Sequence, residues 1–226
     1  MPIAEDLSIV AFTLGVAALS TTLLLPFGLG AAWWLARQRG RGRAIVETIL
    51  ALPLVLPPTA VGLLLLEALK PRGAIGRALE ALSIEVVFTW KAAVLATAVM
   101  SFPLLVRSAR TAFEEIDPRL LAVARTLGSG RFDLFRRVVL PLSWRGVLSG
   151  VLLAFARGLG EFGATVLIAG YAPSGRQTLA LAIFHRTQTR DDAGALRLVA
   201  IAVGVAFVAI WTTELLSRRR VRRLSR

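Results

Sequence analysis

A helical integral membrane protein with about five spans is the fold class this sequence predicts, and three observations predict it. The 226 residues are 56% hydrophobic, with a mean hydropathy of +0.69, above the range of ordinary soluble domains. Residues Leu7 to Ala36 carry no charged side chain, a run longer than the roughly 20 residues that cross a bilayer as a helix. Basic residues gather in alternate loops, as they do when charge sorts by side of a membrane.

The first span is read over about Ser8–Ala36, with Pro26 as a kink. The chain's head holds Glu5 and Asp6 and no basic residue. The apolar stretch is too long for a signal-peptide core and no small-residue cleavage site follows, so it reads as a retained span. "RQRGRGR", Arg37 to Arg43, stops transfer. A second span covers about Glu47–Ala68 and is interrupted by Pro53, Pro57 and Pro58. A third covers about Val86–Val106, with Lys91 near its outer end, and a fourth about Arg145–Ala169. "TLALAIF", within the segment between the last two spans, is too short to cross and suits the membrane interface. Asp191 or Asp192 can cap the helix that leads into the fifth span, about Leu196–Leu216. The whole chain, 1–226, reads as one transmembrane domain with its core at about 8–216 and a basic tail at 217–226.

The charges set the orientation. Arg37–Arg43 holds four basic residues, Arg107–Arg145 eight and the tail from Arg218 six. The alternate loops, Lys70–Arg77 and Arg176–Arg197, hold three and four. Eighteen against seven places the first group in the cytoplasm, the N-terminus outside and the C-terminus inside. The same sorting accounts for the net charge of +13 without nucleic acid, although contact with lipid headgroups follows from it.

The segment 117–141 is then a cytoplasmic loop, and it is more organised than a topology signal requires. Asp117-Pro118 starts a helix. Leu120, Leu121, Ala124 and Leu127 recur at helical spacing. Gly128 stands where that helix ends and supplies the left-handed turn. A second short helix has Phe132, Phe135 and Val139 as its apolar stripe, and Leu140-Pro141 redirects the chain into the fourth span. Two amphipathic helices about a glycine suit a docking element; a solvated topology loop is the plainer alternative.

This segment resembles the cytoplasmic signature loop of ABC importer permeases: Glu-Ala-Ala, three residues, Gly, nine residues, Ile-x-Leu-Pro. Ala122-Val123-Ala124 stands at the triplet, Gly128 at the glycine, and Val138-Val139-Leu140-Pro141 follows nine residues on. The family's leading glutamate is Ala122 here, so contact would rest on shape, apolar packing and arginines. "LPLVLPPTAVGLLLL", "FTWKAAVLATAVMSFPLLVRSARTAFEEID" and "FARGLGEFGATVLIAG" are similar to the permease subunits of molybdate ABC transporters, with sulfate and tungstate permeases similar in the same places. The resemblance covers nearly the whole chain. It implies a type I importer permease fold in a bacterial or archaeal cytoplasmic (inner) membrane. It implies a second copy of the chain, two separate ATPase subunits carrying ATP and Mg, and an extracytoplasmic oxyanion-binding protein as partners. It also implies that 117–141 is the coupling loop, with Ala122, Val123, Ala124, Arg125, Gly128, Arg131, Phe132, Phe135, Leu140 and Pro141 as its ATPase-coupling residues.

Candidates for the pathway come from the spans themselves. Glu161 lies in an apolar stretch, where an ionised carboxylate faces protein or water, and Arg157 one turn earlier is its natural partner. Ala156, Gly160 and Ala164 form a small-residue stripe for close helix contact. Arg157, Gly160, Glu161 and Gly163 read either as part of a gate or as a packing pair toward the cytoplasmic half. Pro53, Pro57, Pro58 and Thr59 read either as a cavity lining, where irregular backbone is tolerated at membrane depth, or as a packing kink. The outer arginines Arg72, Arg77, Arg176, Arg186 and Arg190 are available to an acidic binding protein. No cofactor is expected on this chain. It has no G-x-x-x-x-G-K-[ST] loop and no cysteine. Its single histidine, His185, makes neither a metal site nor a triad. An intramembrane enzyme would need such a cluster.

Overall fold

The computed structural model describes residues 2–38, 40–73, 75–170 and 177–221. They form eleven α-helices and one π-helical turn: α1 (Pro2–Arg37), α2 (Arg41–Val55), α3 (Pro58–Leu69), α4 (Gly76–Ala81), α5 (Trp90–Glu114), α6 (Pro118–Thr126), α7 (Arg131–Leu134), the π turn Phe135–Val139, α8 (Leu140–Leu159), α9 (Gly163–Ile168), α10 (Leu179–Gln188) and α11 (Asp192–Val221). Among the described residues, α1, α5, the stretch Arg131–Leu159 and α11 are long and apolar enough to cross a membrane, and α2 with α3 adds a fifth span if the bent pair is counted as one. The final residues of the basic tail, 222–226, and Arg39 and Arg176 lie outside the described residues.

α5 is the axis of the bundle because one side of it is nearly all small. Ala92, Ala96 and Ala109 are fully buried, and α1 and α8 lie against it. Ser20 of α1 donates a hydrogen bond to the Val94 carbonyl at 2.9 Å while also bonding its own helix at Val16. α8 meets α5 through Gly146, Gly150, Ala154 and Gly158, one residue per turn on a single face. A Cβ added at Gly158 would stand 2.8 Å from Thr97 Cγ2, and one at Gly150 would stand 3.0 Å from Ser108 Cβ. Apolar burial gives little drive between helices already in lipid, so this backbone approach, with its dispersion contacts, holds the pair. The expected stripe Ala156–Gly160–Ala164 is therefore replaced. Gly160 faces open space and Ala164 lies beyond a helix break.

Three span boundaries differ from the sequence reading. The proline-rich second span is two helices bent by 110° at Leu56-Pro57. Pro57 and Pro58 lack the amide hydrogens a continuous helix would use there. The fourth span ends at Leu159, not Ala169, and Glu161 sits in the break between α8 and α9. The loop's second helix does not turn at Leu140-Pro141. It runs from Arg131 through the π turn into α8, with Pro141 inside the continuous run directly after the π turn, where its missing N–H leaves a gap in the hydrogen-bond ladder. The first and last spans are longer than read, starting at Pro2 and running to Val221.

Two polar clusters, neither legible in the sequence, fasten the ends of the bundle. At one end Arg43 of α2 reaches Glu114 of α5 at 2.5 Å, and Arg110 pairs with both Glu47 and Glu114. At the other, Asp6 is 2% exposed and takes Arg186 Nη2 at 2.8 Å and Arg197 Nε at 2.6 Å. This joins α1 to α10 and α11. Arg186 is thus engaged within the chain and is not an outward-facing arginine for a binding protein. The start of α10 is held by α1 too: the Leu179 amide donates to Thr13 Oγ1 at 2.8 Å. Asp191 caps α11, its carboxylate accepting from the Gly194 amide at 3.0 Å.

Candidate functional site

The loop between α5 and α8 divides into an anchored half and a presented half. Asp117 Oδ1 accepts from the Arg119 amide at 2.8 Å and opens α6, with Pro118 in its first turn. The helix ends at Leu127, and Gly128 follows with φ +85°. This is the left-handed turn that glycine adopts without a Cβ penalty. The Gly128 amide donates to Arg125 O and the Ser129 amide to Ala124 O, which satisfies carbonyls at the helix end. Past Gly130 the chain re-enters helix. Leu134 and Val139 are completely buried there, and Phe135 joins Trp33 and Phe113 in a triad with ring centroids 5.6–5.9 Å apart. That triad clamps the loop to the ends of α1 and α5.

No residue of α6 is buried. Leu120 and Val123 are exposed, Leu127 is 81% exposed and Phe132 72%. Phe132 therefore does not share a stripe with Phe135 and Val139. The helix from Arg131 turns Phe135 and Val139 inward and Phe132 out. Of the predicted coupling residues, Ala122, Val123, Arg125, Gly128, Arg131 and Phe132 are exposed, together with Leu120 and Leu127, which the predicted set omits. Ala124 is half-buried, Arg125 and Arg131 line a cavity against the end of α1, Phe135 and Leu140 are partly buried supports, and Pro141 is exposed on α8. Leu120, Val123, Leu127 and Phe132 are thus four large apolar side chains left exposed on one loop.

The second element of the site is a pair of interrupted helices whose second halves meet. The would-be Cβ of Gly163 at the start of α9 stands 2.5 Å from Pro58 Cβ at the start of α3, and that of Gly62 stands 2.8 Å from the Ala164 backbone. Only glycine fits at either point. The two breaks, Leu56-Pro57 and Gly160–Phe162, are thus brought into contact by packing of the short helices that follow them. The Phe88 amide donates to the Ile168 carbonyl at 2.8 Å and ties the chain ahead of α5 to the end of α9.

Glu161 bridges the second break. Its Oε1 accepts from the Ala164 amide at 2.9 Å, at the N-terminus of α9, and Arg157 Nη1 of α8 lies 2.7 Å from Oε2. The carboxylate is 1% exposed and the guanidinium 29%. A carboxylate suits a helix N-terminus, where free amides and the helix dipole favour negative charge. The pair sits at the far end of α8 from the loop, about 30 Å along the helix at 1.5 Å per residue, and not in the loop-proximal half. Gly160 caps α8 and faces open space. Pro53 is partly buried within α2, while Pro57, Pro58 and Thr59 are exposed at the bend. Thr165 of α9 and Ser101 of α5 were not singled out by the sequence. Their hydroxyls are buried with no hydrogen-bond partner among the described residues. Two hydroxyls in apolar helices carry no pattern that would have flagged them.

This arrangement matches known transport proteins. The chain is 44% identical over 211 residues to the molybdenum transport system permease protein of Escherichia coli, covering 92% of each. It is 34% identical to the sulfate transport system permease protein of Salmonella typhimurium, covering 92% of this chain and 79% of that one. Its fold superposes on a chain of the inward-facing MetNI methionine ABC transporter with a TM-score of 0.73, at 15% identity and 96% coverage of both. The family model described as binding-protein-dependent transport system inner membrane component matches residues 25–222. With the family model spanning residues 25–222 and a 44% identical relative covered to 92%, this chain belongs to that family of ABC importer permeases.

Proposed function

We propose that this chain forms the translocation pathway of an ATP-driven molybdate importer, working as two copies with two ATPase subunits and an extracytoplasmic binding protein. The observation that carries this reading is the 44% identity to a molybdenum permease over 92% of the chain. The 34% identity to a sulfate permease keeps sulfate as the second substrate of the same tetrahedral class, with tungstate beside it. The N-terminus lies outside and the loop 117–141 in the cytoplasm, because the loop and flanking segments hold most of the arginines. ATP and Mg belong to the partner ATPase.

In this reading the exposed face of α6 with Leu127 and Phe132 sits in a groove of the ATPase. The continuous helix from Arg131 to Leu159 carries its movement across the membrane as a rigid lever. At the far end that lever meets the Glu161 junction and the α3–α9 contact, where the pathway opens and closes. Pairing matters to the cargo. An unpaired carboxylate would repel an oxyanion, whereas Glu161 is neutralised by Arg157 and a helix terminus. The expected result is saturable molybdate uptake in a strain lacking its own permease, when this chain is supplied with its ATPase and binding protein. Competition by excess tungstate should exceed that by sulfate. Uptake blocked first by sulfate would move the substrate to the sulfate class, and no oxyanion uptake at all would remove the reading.

A further inference from the structure

We infer that Arg37, Arg125 and Arg131 hold the phosphate of an anionic phospholipid where α1 leaves the membrane. The three arginines line a cavity of about 750 Å³ between the end of α1 and the loop, together with Trp33, Trp34 and Leu134. They come from two separate segments, α1 and the loop, and line one cavity. No carboxylate lines the cavity, and none of the three arginines forms an ion pair among the described residues, whereas Arg43 and Arg110 at the same end of the bundle are matched by Glu47 and Glu114. A polyanionic oxygen cluster is the ligand such a cradle lacks, and guanidinium forks fit phosphate oxygens in pairs.

Position favours a lipid over a free anion. Trp33-Trp34 lie in the last turn of the uncharged run of α1, which ends at Ala36, and tryptophan gathers at the headgroup level of a bilayer. The Arg37 guanidinium stands 3.8 Å over the Trp33 ring, a cation–π contact that ties it to that tryptophan. From the cradle an exposed apolar face continues along α1 through Trp34, Phe27 and Leu23, with Gly30 between them leaving open space on the helix surface. Leu23 and Phe27 line an apolar groove of about 840 Å³ shared with α2 and α5. Acyl chains lying on that face would place their phosphate among the arginines. Basic pockets between helix ends are a known way for membrane proteins to hold anionic headgroups.

The test uses the permease–ATPase complex extracted in mild detergent and exchanged into nanodiscs of equal phosphatidylglycerol and phosphatidylcholine, with retained lipid read by native mass spectrometry. The wild-type complex should retain phosphatidylglycerol preferentially. Arg37→Gln should lower that retention about fivefold, from roughly 1 kcal/mol per interfacial arginine, and Arg37→Gln with Arg125→Gln and Arg131→Gln on the order of a hundredfold. Arg37→Lys, which keeps the charge, should retain more than Arg37→Gln and serves as the decisive variant if the triple one does not fold. Equal retention of both lipids by the wild type, or unchanged retention in Arg37→Gln, would overturn the site. Displacement of the lipid by millimolar inorganic phosphate would make it a free-anion site instead. Loss of ATPase co-purification with lipid retention intact would assign the cradle to the ATPase.

Discussion

Replacing Gly128 with valine is expected to uncouple the permease from its ATPase without unfolding the bundle. Gly128 has φ +85° and nothing within 4 Å of where a Cβ would stand. The penalty is therefore conformational and not a clash. A left-handed β-branched residue costs about 1–2 kcal/mol or more, enough to shift the population of the docking geometry by a factor of about 5–30. ATPase co-purification and uptake should fall together by about 5–30-fold, while the melting temperature of the permease alone changes little. Gly128→Asn is the control, because asparagine tolerates this backbone region better than other side chains. It should keep most of the coupling. Full coupling in the valine variant would mean that the turn at Gly128 does not shape the docking surface.

The second large effect is at Glu161. Glu161→Ala removes the counter-ion of Arg157 and the acceptor for the Ala164 amide in one step. Breaking a buried pair by removing one partner costs about 3–5 kcal/mol. Arg157 is part-exposed, so about 3 kcal/mol is expected, read as a lower melting temperature in detergent. Glu161→Gln keeps the acceptor and should lose less. The double variant Arg157→Leu with Glu161→Leu separates packing from gating. Replacing both charges with apolar groups should restore much of the stability, yet uptake should stay low if the junction moves during transport. Uptake that recovers along with stability would reduce the pair to a packing device.

The loop was the most legible part of the molecule because its signals are local. Asp117-Pro118 caps a helix, and Gly128 ends it, through contacts within three or four residues. The 110° bend was legible as an interruption because prolines mark it, but its angle comes from α3 packing on α9, which no local pattern encodes. The break at Gly160–Phe162 carried no proline. Its apolar flanks continue the hydropathy of the fourth span, so the sequence ran two helices into one. The π turn was invisible for a related reason, since Phe135–Val139 keeps a helical residue pattern while gaining one residue in register. The Asp6 cluster joins residues some 180 positions apart, and Arg186 taken alone looked like a surface charge. The stripe on α8 was misplaced by half a turn because every other residue around it is also small.

Within this account the presented apolar knob is the coupling surface, and the chain's lack of cysteine makes that claim directly measurable. A single cysteine at Leu127, the most exposed apolar side chain of the knob, should cross-link in native membranes to a lysine of the partner ATPase through a thiol–amine bifunctional reagent and, once the ATPase is stripped off, react with a membrane-impermeant thiol reagent only in inside-out vesicles. Labelling from the extracytoplasmic side, or no ATPase adduct while the complex remains intact, would contradict it.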